Sequence, residues 1–190
     1  DLGFSKDRWE SIRALGVFEA LLKPEHGGFG GAAIDITTVF EALGSGLVIE
    51  PILNSALICS IILSHGSEQH KLIAEDILNG KARPIFGHFE DFDQYELASI
   101  HSKVSETNTH FIVNGTKSSI KHLVGASHFI FSGRTSGQNT DLNGITLFII
   151  PLQTDGLTID TFESIDGGRV SDLKLTNVKI EKDALIGPKD

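Results

Sequence analysis

Two different periods divide the chain. Over residues 7–81 apolar side chains recur every three or four positions in four segments: DRWESIRALGVFEALL (7–22), IDITTVFEALGSG (34–46), EPILNSALICSIILSHG (50–66) and SEQHKLIAEDILNGK (67–81). That spacing predicts four helices. The punctuation agrees, with Pro51 opening the third, Ser67 capping the fourth, Glu68 in its first turn, and Gly66 and Gly80 at C-terminal ends. From Pro84 onward the segments shorten and fill with β-branched and aromatic residues: PIFGHFE, HSKVSE, HFIVNGTKSSIKH, SHFIFSGRT, GITLFIIP, LTIDTF and DLKLTNVKI. These predict about seven strands. Asn114-Gly115 lies between apolar and β-prone residues, the strongest short hairpin signal, so a type I′ tip is expected there.

The expected fold class is therefore α+β and multidomain: a helical module over residues 1–82, then an antiparallel β barrel or sandwich over 83–190. Strands and helices are segregated, which excludes a Rossmann-type alternation. The chain shows no internal repeat and no low-complexity tract, and RTSGQNTDLNG (134–144) reads as a polar connection between two strands.

Composition narrows the function. With 40% hydrophobic and 22% charged residues in 190, the chain is long enough to build a packed core. A net charge of −9 with scattered Lys and Arg argues against reading a nucleic-acid backbone. The single cysteine, Cys59, lies in an apolar run and reads as core, which favours a reducing compartment and a cytoplasmic protein. That run is interrupted by Asn54 and serines and falls short of the roughly 20 apolar residues of a membrane span. The chain opens on Asp1 without a basic-apolar leader, so no secretory signal is expected and the sequence reads as part of something longer.

Candidate chemistry is sparse. The glycine-dense stretch PEHGGFGG (24–31) has neither G-x-G-x-x-G nor G-x-x-x-x-G-K-[ST] spacing and follows a helical pattern, so it is not a phosphate cradle. His65 and His70 straddle a helix break, and His88 with Glu90 forms an H-x-E without the P-C-x-x-C of zinc deaminases, so no metal site is expected. No G-x-S-x-G elbow occurs. Glu90, Asp91 and Asp93 could do acid–base work, though such a cluster is more often a solvated loop. Lys117 and Lys121 flank Ser118 and Ser119 and read as a polar strand face.

An ordered series of motifs adds more. WESIRALGV (9–17), PEHGGFGG, VFEALG (39–44), DILNG (76–80), Phe89-Glu90, VNGTKSSI (113–120), ASHFIFSGRT (126–135), GITLFIIP and VKIEKDALIG (178–187) follow one another along nearly the whole chain. The series resembles the acyl-CoA dehydrogenase family, and corresponds to its N-terminal helical and middle β domains. The resemblance implies an FAD-dependent oxidoreductase that removes the α proton and β hydride of an acyl-CoA thioester. It also implies an electron acceptor such as an electron-transfer flavoprotein, and a homo- or hetero-oligomer. The glycine-rich stretch becomes a turn-rich connection between helices. SGRTSG, EPILNSA and IDGGR look closest to members handling dicarboxylic or steroid-derived acyl groups, several of which work as paired subunits.

Carried over by position, the flavin contacts fall on Phe86, His88 and Phe89 at the end of the first middle-domain strand, and on Ser119 and Lys121 after the G-x-K. Substrate contacts fall on Gln94 and Tyr95. The sequence departs from the family at E-P-x-A-G-S-D, replaced by EDFDQYE (90–96), and at the flavin-side aromatic and Thr/Ser, replaced by Ser119 and Lys121. No catalytic residue is expected in this chain, because the family's base belongs to a C-terminal helical domain. A non-catalytic partner subunit, or an acyl-CoA oxidase or flavin monooxygenase on the same scaffold, are the alternatives.

Overall fold

The structure, a computed structural model, describes residues 3–91 and 95–189. The helical part comprises α1 (Lys6–Ala14), α2 (Val17–Ala20), a 3-10 turn (Pro24–His26), α3 (Ala33–Ser45), a π-helical stretch (Ile52–Cys59), α4 (Ser60–Ser64) and α5 (Glu68–Leu78). The four expected helices thus appear with two refinements. The first is broken at Gly16, whose φ of 78° lies in the left-handed region and turns α2 back so that Phe18 packs on Trp9 at a ring separation of 4.6 Å. The third is wound as a π-helix over eight residues before it becomes α4.

The glycine-rich stretch folds back on α2. The amides of Phe29, Gly30 and Gly31 donate to the carbonyls of Glu19, Leu22 and Ala20 at the helix end. The approach is so close that a Cβ on Gly28 would lie 2.0 Å from the Leu22 carbonyl oxygen, and one on Gly30 2.2 Å from that of Ala20. These N–H groups are spent inside the fold, so they do not form an anion cradle.

The strands are β1 (Ile85–Gly87), β2 (Lys103–Glu106), β3 (His110–Lys121), β4 (His128–Arg134), β5 (Ile145–Pro151), β6 (Leu157–Glu163), β7 (Arg169–Glu181) and β8 (Leu185–Ile186). They form one sheet in the order β6-β7-β3-β2-β4-β5-β8, with β1 added beside β4. The sheet is mostly antiparallel; β1 and β2 run parallel to β4. Because β4 and β5 are covered on both faces, they read as continuous apolar runs rather than alternating ones. Ile130 and Ile149 face the helices and share a core with Trp9, Phe18, Ile52, Leu63 and Ile77. Phe129, Phe131, Phe148 and Ile150 face the other way into a second core with Phe111, Val113, Leu173 and Val178.

The expected hairpin at Asn114-Gly115 is absent. Both residues lie inside β3, which pairs with β7 on either side of them across a register shift. Neither has positive φ; the irregularity is taken up by Asn177 on β7, at φ 51°, whose amide donates to Asn114 Oδ1 at 2.8 Å. Glycine is required at 115 for another reason. A Cβ there would lie 2.3 Å from Ser102 Oγ and 2.5 Å from Ser102 Cα, so the two backbones cross at a distance no side chain allows.

Candidate functional site

A cleft of about 620 Å³ lies between the helical part and the sheet. One wall comes from Glu50, Pro51, Leu53, Asn54 and Ile58, the other from residues 86–89 and 118–122, with Leu97 at the side. Asn54, which interrupts the apolar run of its helix, is the fastener between the walls. Its Nδ2 donates to the Phe86 carbonyl at 2.9 Å and its Oδ1 accepts from the Phe86 amide at 2.7 Å, as a neighbouring strand would.

All five residues expected at the flavin, Phe86, His88, Phe89, Ser119 and Lys121, line this one cleft. Phe86, His88 and Phe89 make an aromatic wall, with ring separations of 6.1 Å and 5.7 Å between successive members. Ser119 and His122 both hold left-handed backbone conformations, φ 57° and 61°, at the end of β3. Such strain in non-glycine residues costs of order 1–3 kcal/mol and persists only where the surroundings enforce it. Here Asp172 Oδ1 accepts from the Ser119 amide and the Arg169 carbonyl accepts from the His122 amide. Lys121 reaches out of the cleft to Asp166 at 2.9 Å. Of the two expected substrate contacts, Tyr95 is fully exposed and does not line the cleft, and Gln94 lies outside the described residues.

Beneath the aromatic wall sits a buried polar network that the sequence did not disclose. The Lys117 ammonium, wholly buried, donates to the His88 carbonyl at 2.9 Å, to Glu90 Oε1 at 2.7 Å and to Ser132 Oγ at 3.2 Å, which uses all three of its protons. The Glu90 carboxylate also accepts from the His101 and Ser102 amides at 2.7 and 3.1 Å. Burial alone would raise the Glu90 pKa. Lys117 and the hydrogen bonds outweigh it and hold the carboxyl below its usual range. Burial lowers the Lys117 pKa while Glu90 counteracts. Glu90 is therefore an ionised structural anchor and not a base facing the cleft. The sequence signal was an i, i+2 relation between His88 and Glu90; pairing with a lysine far along the chain had none.

Three groups lining the cleft carry buried polar atoms without a hydrogen-bond partner among the described residues, Ser118 Oγ, His122 Nδ1 and Glu50 Oε2. Glu50 is the one carboxylate among the described lining residues, its Oε1 tied to Arg8 at 2.8 Å and to the Ser5 amide at 3.2 Å. Burial pushes the Cys59 thiol strongly up, against a weaker pull from the Phe86 backbone, and its sulfur hydrogen-bonds Asn54 Oδ1 and the Pro84 carbonyl, so it is inert core. Among the described residues no cluster of three metal-ligating side chains occurs, and no helix is long and apolar enough to cross a membrane.

The model of the acyl-CoA dehydrogenase N-terminal domain matches residues 1–76. Over those residues the chain is similar to the N-terminal domain of acyl-CoA dehydrogenases. It is 28% identical over 155 residues to acyl-CoA dehydrogenase AFT10-1 of Alternaria alternata, an alignment covering 80% of this chain and 34% of that protein. Butyryl-CoA dehydrogenase of Megasphaera elsdenii superimposes with a TM-score of 0.83 at 19% identity, over 98% of this chain and 51% of that one. A chain of the ChsE4-ChsE5 complex of Mycobacterium tuberculosis gives a TM-score of 0.78 at 20% identity, over 95% and 48%. At those identities the two solved structures share the fold. The chain spans about a third of the acyl-CoA dehydrogenase AFT10-1 sequence and about half of each solved chain.

Proposed function

We propose that residues 1–82 and 83–190 are the N-terminal and middle domains of an FAD-dependent acyl-CoA dehydrogenase, and that the cleft between them takes the flavin ring beside the acyl thioester. The observation that carries this is the convergence of Phe86, His88, Phe89, Ser119 and Lys121 on one cleft. The lining fits the group: an aromatic wall for a flat heterocycle, and Ser118 Oγ and His122 Nδ1 as unpaired partners for its polar edge. Bound flavin would supply the hydride acceptor. The chain's own residues would do the rest. Phe86 and Phe89 would present ring faces, the Asn54 clamp would fix Phe86, and apolar Leu53, Ile58 and Leu97 would exclude water, which strengthens hydrogen bonds to a developing enolate.

The reaction also needs a base within hydrogen-bond reach of the α proton. Glu90 is sealed beneath the wall and Glu50 is tied to Arg8, so the base in this reading comes from a further domain or subunit. The electron acceptor would be a protein such as an electron-transfer flavoprotein, and the assembly an oligomer. The second reading, a partner subunit that no longer binds flavin, is favoured by one feature: Lys121 turns out of the cleft to Asp166 where the family has a flavin-side Thr or Ser.

The test is to titrate the protein with FAD and follow the flavin's visible spectrum and fluorescence, alongside Phe89→Asp. Binding by the parent and its loss in Phe89→Asp supports the flavin site. Binding that survives Phe89→Asp places the flavin elsewhere, and no binding by either protein favours the partner reading.

A further inference from the structure

The hydrogen bonds around His88 run in one direction only. Lys117 Nζ has no lone pair, so it must donate to Ser132 Oγ at 3.2 Å. Ser132 keeps its own proton and offers it to its other neighbour, the lone pair that a neutral ring leaves on His88 Nδ1 at 2.9 Å. His88 Nε2 faces the Leu97 carbonyl at 2.9 Å, and a carbonyl can only accept, so Nε2 carries the proton. Protonating Nδ1 as well would oppose two donors and set a second cation against the buried Lys117 ammonium. Burial and Lys117 both hold the His88 pKa below its usual value, although the Leu97 carbonyl and Glu90 pull the other way.

We propose that Lys117 and Ser132 are positioning residues that hold His88 as a single neutral tautomer, protonated at Nε2. Both ring nitrogens are thereby used within the protein, and the ring offers the cleft only its face and carbon edge. Two consequences follow. The charge of Lys117 is kept one hydroxyl away from the cleft, so the aromatic wall meets its ligand as an uncharged surface. The Nε2 bond also pins Leu97, which lines the cleft, to the end of β1, in a segment that Arg134 holds at the Ala98 carbonyl and Glu90 at the His101 and Ser102 amides. That a flavin ring meets this surface rests on the reading above; the tautomer itself belongs to the protein without ligand.

Long-range proton–nitrogen correlation spectra of the nitrogen-labelled 190-residue protein at neutral pH test this directly, with the His88 signals assigned by their loss in His88→Gln. The expected result is a pyridine-like Nδ1 and a pyrrole-like Nε2 for His88. An Nδ1–H tautomer, an even mixture or an imidazolium overturns the proposal. In Ser132→Ala the preference for the Nε2–H form should fall by about five- to tenfold, and Ser132→Thr, which keeps the hydroxyl, should restore it. A preference unchanged in Ser132→Ala shows that the relay does not set the tautomer. If a variant does not fold, the parent spectrum decides. A wrong tautomer in a protein that binds FAD overturns this inference alone, whereas the expected tautomer in a protein that binds no FAD leaves it standing and counts against the flavin reading.

Discussion

At the scale of single residues, Lys117 and Asn54 matter most, because each joins parts of the chain that nothing else joins in the same way. Lys117 has 0% and Glu90 1% side-chain exposure, so removing either strands a charge away from water. Lys117→Met should cost about 3–5 kcal/mol by chemical denaturation, and Lys117→Met with Glu90→Leu should cost less than Lys117→Met alone. A loss in the double variant equal to the sum of the two single losses would show that the pair is not coupled. The pH dependence has a definite sign. Because folding lowers the Glu90 pKa, its contribution is complete above the ordinary carboxylate value of about 4.3 and is lost as the pH falls through the lower folded value. Thermal melts of Glu90→Gln should therefore start lower at neutral pH and fall less steeply into acid than those of the parent. Asn54→Leu keeps the volume but leaves the amide and carbonyl of Phe86 unpaired, at about 1–3 kcal/mol and with weaker FAD binding; full affinity in that variant would show that the clamp does not shape the cleft.

At the scale of elements, what was legible depended on whether a residue answered to its neighbours in sequence or to a distant strand. The boundaries of α5 could be read from Ser67, Glu68 and Gly80, which act within one turn. The break at Gly16 was missed because the apolar spacing runs through it, and the π winding of residues 52–59 leaves no mark in a periodicity count. Asn114-Gly115 carried the right letters for a hairpin, but tertiary pairing of β3 with both β2 and β7 overrode the local preference. The residues expected at the flavin, which share one cleft, could be named only through an ordered set of motifs, and the Lys117–Glu90 pair not at all, since its partners stand 27 positions apart. The crossing at Gly115 gives a sharp test. Gly115→Ala should destabilise by about 1–3 kcal/mol, and Ser102→Gly should recover little of it, because the Ser102 Cα as well as its side chain stands within 2.5 Å of the new methyl. A neutral Gly115→Ala would mean that the strands can part there without cost.

At the scale of the whole molecule, the helices and the sheet make two walls of a cleft whose rim is apolar and open to water. Leu53, Phe89 and Leu97 are 52%, 44% and 64% exposed around it, a surface that gains by being covered. Among the described residues both carboxylates at or beneath the cleft are engaged in ion pairs. Glu50 pairs through Oε1 with Arg8, and Glu90 is locked under the wall by Lys117. A carboxylate locked as Glu90 is cannot reach an α proton in the cleft. The 190-residue protein saturated with FAD should therefore be silent when offered acyl-CoA esters of several chain types and an artificial electron acceptor. Turnover that disappears in Glu50→Gln would identify Glu50 as the base and overturn the assignment of that role to another domain or subunit. Turnover that survives Glu50→Gln but not Glu90→Gln would mean that the buried pair opens during the reaction, against the anchoring role assigned to it here. Silence in this chain with activity in a longer form of the protein would support the dehydrogenase reading, because only a second body laid over the apolar rim can bring a base opposite the flavin and close the site to water.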